Sequence, residues 1–492
     1  MPLNPATRAG KDCWPLGGLV AVLVVGQWGA LMNTSPANTA TAETVAPSLQ
    51  SPRELRRVAF TALIGTSIEW YDFFLYGTAA ALIFPALFFP PSMPPLVAQF
   101  ASFTTFAVGF FARPLGGVLF GNFGDRHGRK RALITALVLM AVSTTCIGLL
   151  PGYSRAGWVA PLLLVALRIV QGLAIGGQWA GAVLLVTENA PPGQRGFYGS
   201  FAQVGVPVGV VLANCAFLAM GALTSAEDFA AWGWRVPFIA SVLLIGVAVY
   251  AQFKLEDTAA FRQLQAQAKA NAAAGIVQRA PVLQALRQYP RQIALAAGAF
   301  IGVQVSFYIC IAFVVAYGSG ASGLGLPKSL MLSAVLIGAV AMIPSTIGFA
   351  ALSDRIGRRR LYLVGAVLSG CWAFALFPLM ETRSLLWIAV GIATAQVFGS
   401  IMYGPLAALL SEMFETRVRY SAATLGYQLG AIFGGGLAPS IATAILGQTG
   451  SAFGISVYMA ITCAITFTCM WLLPETHCND MHAVSSGSEA GR

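Results

Sequence analysis

Four ionisable residues stand in stretches that are otherwise apolar: Glu69, Asp72, Arg113 and Arg168. A charge at the centre of a bilayer costs about 2.5–3.5 kcal/mol, so such residues are paired or functional. Asp72 lies 14 residues into its apolar segment and Arg168 lies 10 into its own. At about 1.5 Å per residue both come near mid-membrane. Glu69 and Arg113 fall in the half nearer the arginine-rich loops described below. The sequence therefore predicts two couples, Asp72 with Arg168 and Glu69 with Arg113. Glu69, Asp72 and Tyr76 share one helix face. Two roles are open to the couples. They hold helices together, or they exchange protons: burial disfavours a bare carboxylate and a neighbouring arginine favours it, so an arginine that turns to an anionic substrate hands its acid partner a proton.

The segments carrying these residues set the class of protein. Of 492 residues, 57% are hydrophobic and 10% charged, against roughly a quarter charged in a soluble domain. Too little polar surface remains to cover a soluble globule, and disorder needs the opposite composition. Twelve apolar segments are read at 58–84, 97–120, 131–151, 158–187, 196–221, 234–253, 291–317, 328–350, 361–380, 384–410, 420–446 and 452–473. Each is about long enough to cross a bilayer as a helix. Barrel strands would alternate over about ten residues rather than run continuously.

The net charge of +11 is explained by placement. With the start of the first segment inside, 21 of the 29 Lys and Arg lie on the cytoplasmic side and four, Arg155, Arg235, Lys328 and Arg383, outside. That is the positive-inside pattern, and it removes the case for nucleic acid. Both ends of the twelve-segment body are then cytoplasmic. Residues 1–50 have a basic start, an apolar run from Pro15 to Met32 and a small-residue stretch. They read as a signal sequence, an extra interfacial or spanning segment, or an over-long start. The organisation expected is an extension at 1–50, six helices at 51–253, a cytoplasmic linker at 254–290, six helices at 291–474 and a short tail at 475–492.

The halves repeat. Gly124-Asp125-Arg126-His127-Gly128-Arg129-Lys130-Arg131 is echoed by Ser353-Asp354-Arg355-Ile356-Gly357-Arg358-Arg359-Arg360. Glu188 precedes Arg195 by seven, and Glu412 precedes Arg419 by seven. A duplicated bundle with its site between the halves fits this spacing. The doubled Asp-Arg-x-Gly-Arg loop resembles the signature of the major facilitator superfamily. Glu69-Trp70-Tyr71-Asp72-Phe73, Phe106 through Gly117, Arg168-Ile169-Val170-Gln171-Gly172, Gly233-Trp234-Arg235-Val236-Pro237-Phe238, Tyr403-Gly404-Pro405 and Tyr427-Gln428-Leu429-Gly430 are similar to its metabolite:proton symporter family. Where that family usually keeps a glutamate, this chain has Gln178, so a proton-carrying carboxylate is absent there.

The resemblance implies an all-α integral membrane protein with twelve transmembrane helices in two pseudo-symmetric six-helix bundles. It implies proton-coupled symport, by alternating access, of a small organic acid: shikimate-like, a dicarboxylate or an aromatic acid. Glu69, Asp72, Arg113 and Arg168 are the proton-coupling candidates. Arg113, Arg168, Gln171, Gln178, Gln203, Gln304, Tyr308, Tyr403, Tyr427 and Gln428 are the substrate-binding candidates, and Trp70, Tyr71 and Trp179 read as packing or interface residues. Asp125, Arg126, Arg129, Asp354, Arg355 and Arg358 are the latch the superfamily builds from its loops, with Glu188 and Arg195, and Glu412 and Arg419, as further latch pairs. The expected partners are an anionic small molecule, protons and the lipid bilayer, with the protein a monomer in the inner membrane and no cofactor beyond the proton gradient. An osmolyte (betaine or proline) symporter and a non-transporting sensor are the alternatives. The chain has no HExxH, no zinc-spaced cysteines among its eight and no Walker loop, which argues against an enzyme or an ATP-driven pump.

Overall fold

The computed structural model describes residues 52–127, 129–176, 178–191, 193–254, 281–320, 322–415 and 418–477. The extension at 1–50, most of the linker and the tail beyond His477 lie outside them. Every apolar segment falls on helix. The first sequence half gives α1 (Pro52–Leu82), α2 (Pro95–His127), α3 (Arg129–Leu149), α4 (Val159–Ile175), α5 (Gln178–Asn189), α6 (Arg195–Leu223) and α7 (Arg235–Lys254). The second gives α8 (Pro290–Tyr308), α9 (Lys328–Ile356), α10 (Arg358–Glu381), α11 (Leu385–Met413), α12 (Arg419–Ala431), α13 (Ala438–Thr449) and α14 (Phe453–Leu472). The expected segment 158–187 is thus two helices, α4 and α5, on either side of Gly177. Among the described residues, eight helices are long and apolar enough to cross a membrane.

Three π-helical turns occur among the described residues: one precedes α7 (Phe229–Gly233), and two lie in helical columns of the second half. Ile309–Phe313 continues α8 directly after Tyr308, and Ile432–Gly436 joins α12 to α13. Such turns widen the helix by one residue and recur at functional sites. The α8 column is almost wholly buried, and two of the three glycines of the Ile432–Gly436 turn make room for it. A Cβ on Gly434 would meet Gln304, and one on Gly435 would meet Tyr308.

The close approach of α2 and α4 positions both buried arginines. Gly172 on α4 and Gly176 just past its end face backbone carbonyls of α2: a Cβ on Gly172 would strike Gly109 and one on Gly176 would strike Arg113. Small residues at this spacing let membrane helices touch backbone to backbone, where dispersion replaces the missing hydrophobic drive. Gly172→Val is therefore expected to lower the melting temperature of detergent-purified protein sharply or prevent its recovery. Gly181→Val, whose Cβ meets nothing within 4 Å, serves as the neutral control in the same thermal-shift assay.

Candidate functional site

Arg113 and Arg168 are both almost fully buried, at 1% and 0% exposure, and both lie against aromatic rings. The Arg113 guanidinium sits 4.4 Å from the Phe73 ring centre, 4.2 Å from Phe110 and 5.4 Å from Trp70. Arg168 lies 4.3 Å from Phe73, 4.2 Å from Tyr76 and 4.7 Å from Phe106. Phe73 is thus shared by two cations. The negative face of an aromatic ring attracts a desolvated cation by about 2 kcal/mol, which offsets only part of the burial cost.

The predicted couple between Asp72 and Arg168 is not formed. Arg168 donates from Nη1 to Gln171 Oε1 at 3.0 Å, and Gln171 Nε2 donates to Thr144 on α3 at 2.8 Å. Both carboxylate oxygens of Asp72 are buried without a hydrogen-bond partner, and the group lies beside Ser241 on α7. Ring stacking and an amide take the place that spacing assigned to a carboxylate. Arg113 acts electrostatically on Glu69, yet none of its three guanidinium nitrogens makes a hydrogen bond. A buried cation without a paired hydrogen-bonding anion is unusual and costly.

Beside Arg113, helices of both sequence halves enclose a cavity of about 10 Å³, room for roughly one water. Its wall takes Trp70 from α1, Val206 from α6, Gln304, Phe307 and Tyr308 from α8, Met342 from α9, Gln396 and Tyr403 from α11, and Tyr427 from α12. Of the sequence candidates, Gln304, Tyr308, Tyr403 and Tyr427 line it. Others are committed elsewhere: Gln203 Nε2 donates to the Tyr403 carbonyl at 3.1 Å and Gln428 Nε2 to the Gly176 carbonyl at 3.1 Å, each joining the two halves. The side chain of Gln178 lies outside the described set. Trp70, read from the sequence as a packing residue, is part of the wall. Gln396 and Met342 were missed. For Gln396 a signal existed, because the spacing that relates Glu188 to Glu412 carries Gln171 to within one residue of it.

At the arginine-rich end the two Glu–Arg repeats exchange partners. The expectation was a latch within each pair; instead Glu188 meets Arg419 at 3.1 Å and Glu412 meets Arg195 at 3.9 Å. Each bond crosses from one half to the other, because a twofold-related pair of helices presents the acid of one to the base of the other. Arg358 joins Glu412 at 3.1 Å and Asp354 at 2.6 Å. Asp354 accepts from the Gly196 and Phe197 amides, both at 2.9 Å, at the positive end of the α6 dipole. Arg355 is exposed and outside the cluster. The side chains of Asp125, Arg126 and Arg129 lie outside the described set. The sequence reading gave the tail no role, yet Glu475 accepts from the Arg358 and Arg359 amides at 2.9 and 3.0 Å, capping α10. Thr476 donates to Glu412 at 3.0 Å. Gly357, at φ 97° between α9 and α10, leaves the space that Glu475 fills.

At the opposite end Lys328 Nζ donates to the Leu82 carbonyl at 3.3 Å, a cation on the C-terminus of α1. Among the described residues no three His, Cys, Asp or Glu side chains come together as a metal site.

A helical bundle with a cavity lined from both halves, and ion pairs that cross between the halves at the arginine-rich end, is the architecture of a membrane transporter of the major facilitator type. The chain belongs to the sugar (and other) transporter family, whose model matches residues 58–486. It is 38% identical over 431 residues to the shikimate transporter of Escherichia coli, covering 86% of this chain and 95% of that one. It is 38% identical to the inner membrane metabolite transport protein YhjE of the same organism (85% and 94% covered) and 31% identical to its proline/betaine transporter (84% and 82%). Among solved structures it superposes on the Escherichia coli xylose transporter XylE in a partially occluded inward-open conformation, with a TM-score of 0.68 at 18% identity, over 86% of this chain and 98% of that one. That likeness carries the fold alone. The motif resemblance read from the sequence is borne out, and the chain is a transporter, not an enzyme.

Proposed function

We propose that the chain is a secondary transporter that carries a small organic acid inward together with a proton. The observation that carries this reading is Arg113: a buried guanidinium with no hydrogen-bond partner, stacked on Trp70, which is itself part of the cavity wall. A substrate carboxylate supplies the hydrogen-bonded anion it lacks. The names of the shikimate and metabolite carriers among the relatives support an organic acid.

The arginine-rich end faces the cytoplasm by the positive-inside rule. Twelve spans form two bundles, 51–253 and 291–474, that rock about the cavity as a monomer, with the crossed ion pairs closing the cytoplasmic side. Asp72 is the proton carrier. A bare carboxylate without partners costs several kcal/mol in an apolar interior, and a proton removes that cost. Glu69 modulates Arg113. No cofactor beyond the proton gradient takes part.

The aromatic wall favours a second reading, an osmolyte carrier. Trp70, Phe307, Tyr308, Tyr403 and Tyr427 form a set of rings of the kind that receives quaternary ammonium, and a proline/betaine transporter is among the relatives. Uptake of labelled shikimate and of labelled glycine betaine into proteoliposomes separates them. With an imposed inward proton gradient, shikimate is expected to accumulate and collapse of the gradient to stop it. Accumulation of betaine alone selects the osmolyte carrier, and binding without flux selects a sensor.

A further inference from the structure

We infer that Gln396 reads an oxygen on the substrate away from its carboxylate, so that the cavity selects hydroxylated ring monocarboxylates; this rests on the organic-acid reading above. Gln396 is 3% exposed, lines the cavity and has no partner for Nε2. Ser400 Oγ donates to the Gln396 backbone carbonyl at 2.8 Å and accepts from Thr346 at 3.4 Å, so these hydroxyls engage the backbone and each other rather than the amide nitrogen. Gln304 Nε2 and the Tyr403 hydroxyl, both 4% exposed, line the same wall and are equally unmatched. Buried polar groups are ordinarily satisfied, and three left open on one wall point to acceptor atoms arriving with a ligand.

The repeat sharpens the assignment. In the first half the near-counterpart, Gln171, is engaged at its oxygen by Arg168 and at its nitrogen by Thr144. In the second half the positions matching Arg168 are the apolar Ile392 and Ala393, so the amide of Gln396 is left for something else. The wall contributed by the second half is neutral, while the intramembrane charges Glu69, Asp72, Arg113 and Arg168 all belong to the first. A ligand with one carboxylate toward Arg113 and hydroxyls toward Gln396 matches both sides. The second carboxylate of a dicarboxylate would meet amides and phenols with no cation, and an unsubstituted ring would leave the donors unmatched. Sites built to hydrogen-bond a hydroxyl reject analogues without it far more strongly than apolar pockets reject size changes.

The test uses shikimate and 1-cyclohexene-1-carboxylate, the same ring acid without hydroxyls, titrated into purified full-length protein. Wild type is expected to bind shikimate at least about 100-fold more tightly than the deoxy acid. Gln396→Leu is expected to weaken shikimate by roughly 10- to 100-fold and leave the deoxy acid within about twofold, at an unchanged melting temperature. Equal weakening of both acids, or no discrimination by wild type, overturns the role of Gln396 alone. If wild type binds neither acid, the organic-acid reading itself falls. Gln396→Asn, which keeps the amide, is expected to retain part of the discrimination; its behaving as the leucine variant in both titrations with a lowered melting temperature would mark the residue as structural.

Discussion

Arg113→Gln is expected to abolish accumulation of an organic anion while costing less stability than Arg168→Gln. The size of the stability change distinguishes this residue from an ordinary hydrogen-bonded buried arginine. Breaking a buried ion pair by removing one member costs about 3–5 kcal/mol, because the other charge is left alone. Arg113 has no hydrogen bond to lose, since none of its nitrogens makes one, although Glu69 loses the positive charge that acts on it. What is lost is stacking on Phe73, Phe110 and Trp70, worth about 0.5–2 kcal/mol, and what is recovered is the cost of burying a charge. Arg168→Gln is different. It breaks the chain from Arg168 through Gln171 to Thr144, so it should lower stability as well as transport. Thermal melts of the two variants beside proteoliposome uptake make the comparison. A large loss of stability in Arg113→Gln with uptake retained would reduce Arg113 to a structural role.

The same two arginines mark where sequence reasoning stopped. Four charges in apolar segments were visible because nothing else of their kind surrounds them, and their depth followed from helix rise. Their partners were not visible. Opposite charges at matching depth suggest salt bridges, but a guanidinium also stacks on rings, and Phe73, Phe106 and Phe110 carry no mark in the sequence that separates a cation's seat from ordinary packing. The residues of the ion pairs were legible as a repeated Glu–Arg spacing, which records that two halves are alike. It does not record that likeness places each acid opposite the other half's base; that comes only from how α6, α9 and α11 pack across the middle. Glu475 was illegible for another reason. Its function is to hold the first amides of α10, and a capping partner more than a hundred residues away leaves no local pattern.

The two crossed pairs look equivalent in sequence, and their burial predicts that they are not. The Glu412 side chain is fully buried, whereas that of Glu188 is 37% exposed. Glu412 also holds Arg358 and Thr476, so Glu412→Gln removes the centre of a buried network. In a state open at this end the two halves part and Glu412 meets water whichever side chain it carries, so the loss of about 3–5 kcal/mol falls on the closed state. With tenfold per 1.4 kcal/mol, closure at the arginine-rich end should weaken by about 10²-fold or more. Glu188→Gln removes a pair that water reaches on the acid side only, since Arg419 is buried and Glu188 is 37% exposed, and should shift the same equilibrium less than Glu412→Gln does. Hydrogen exchange at the Gly196 and Phe197 amides reads this directly, because Asp354 covers both when the end is closed and exposes them when it opens. Exchange there should accelerate far more in Glu412→Gln than in Glu188→Gln, with uptake slowed in the same order. Equal acceleration in the two variants would mean that burial does not set the strength of the latch, and the closure would then depend on helix packing rather than on charge.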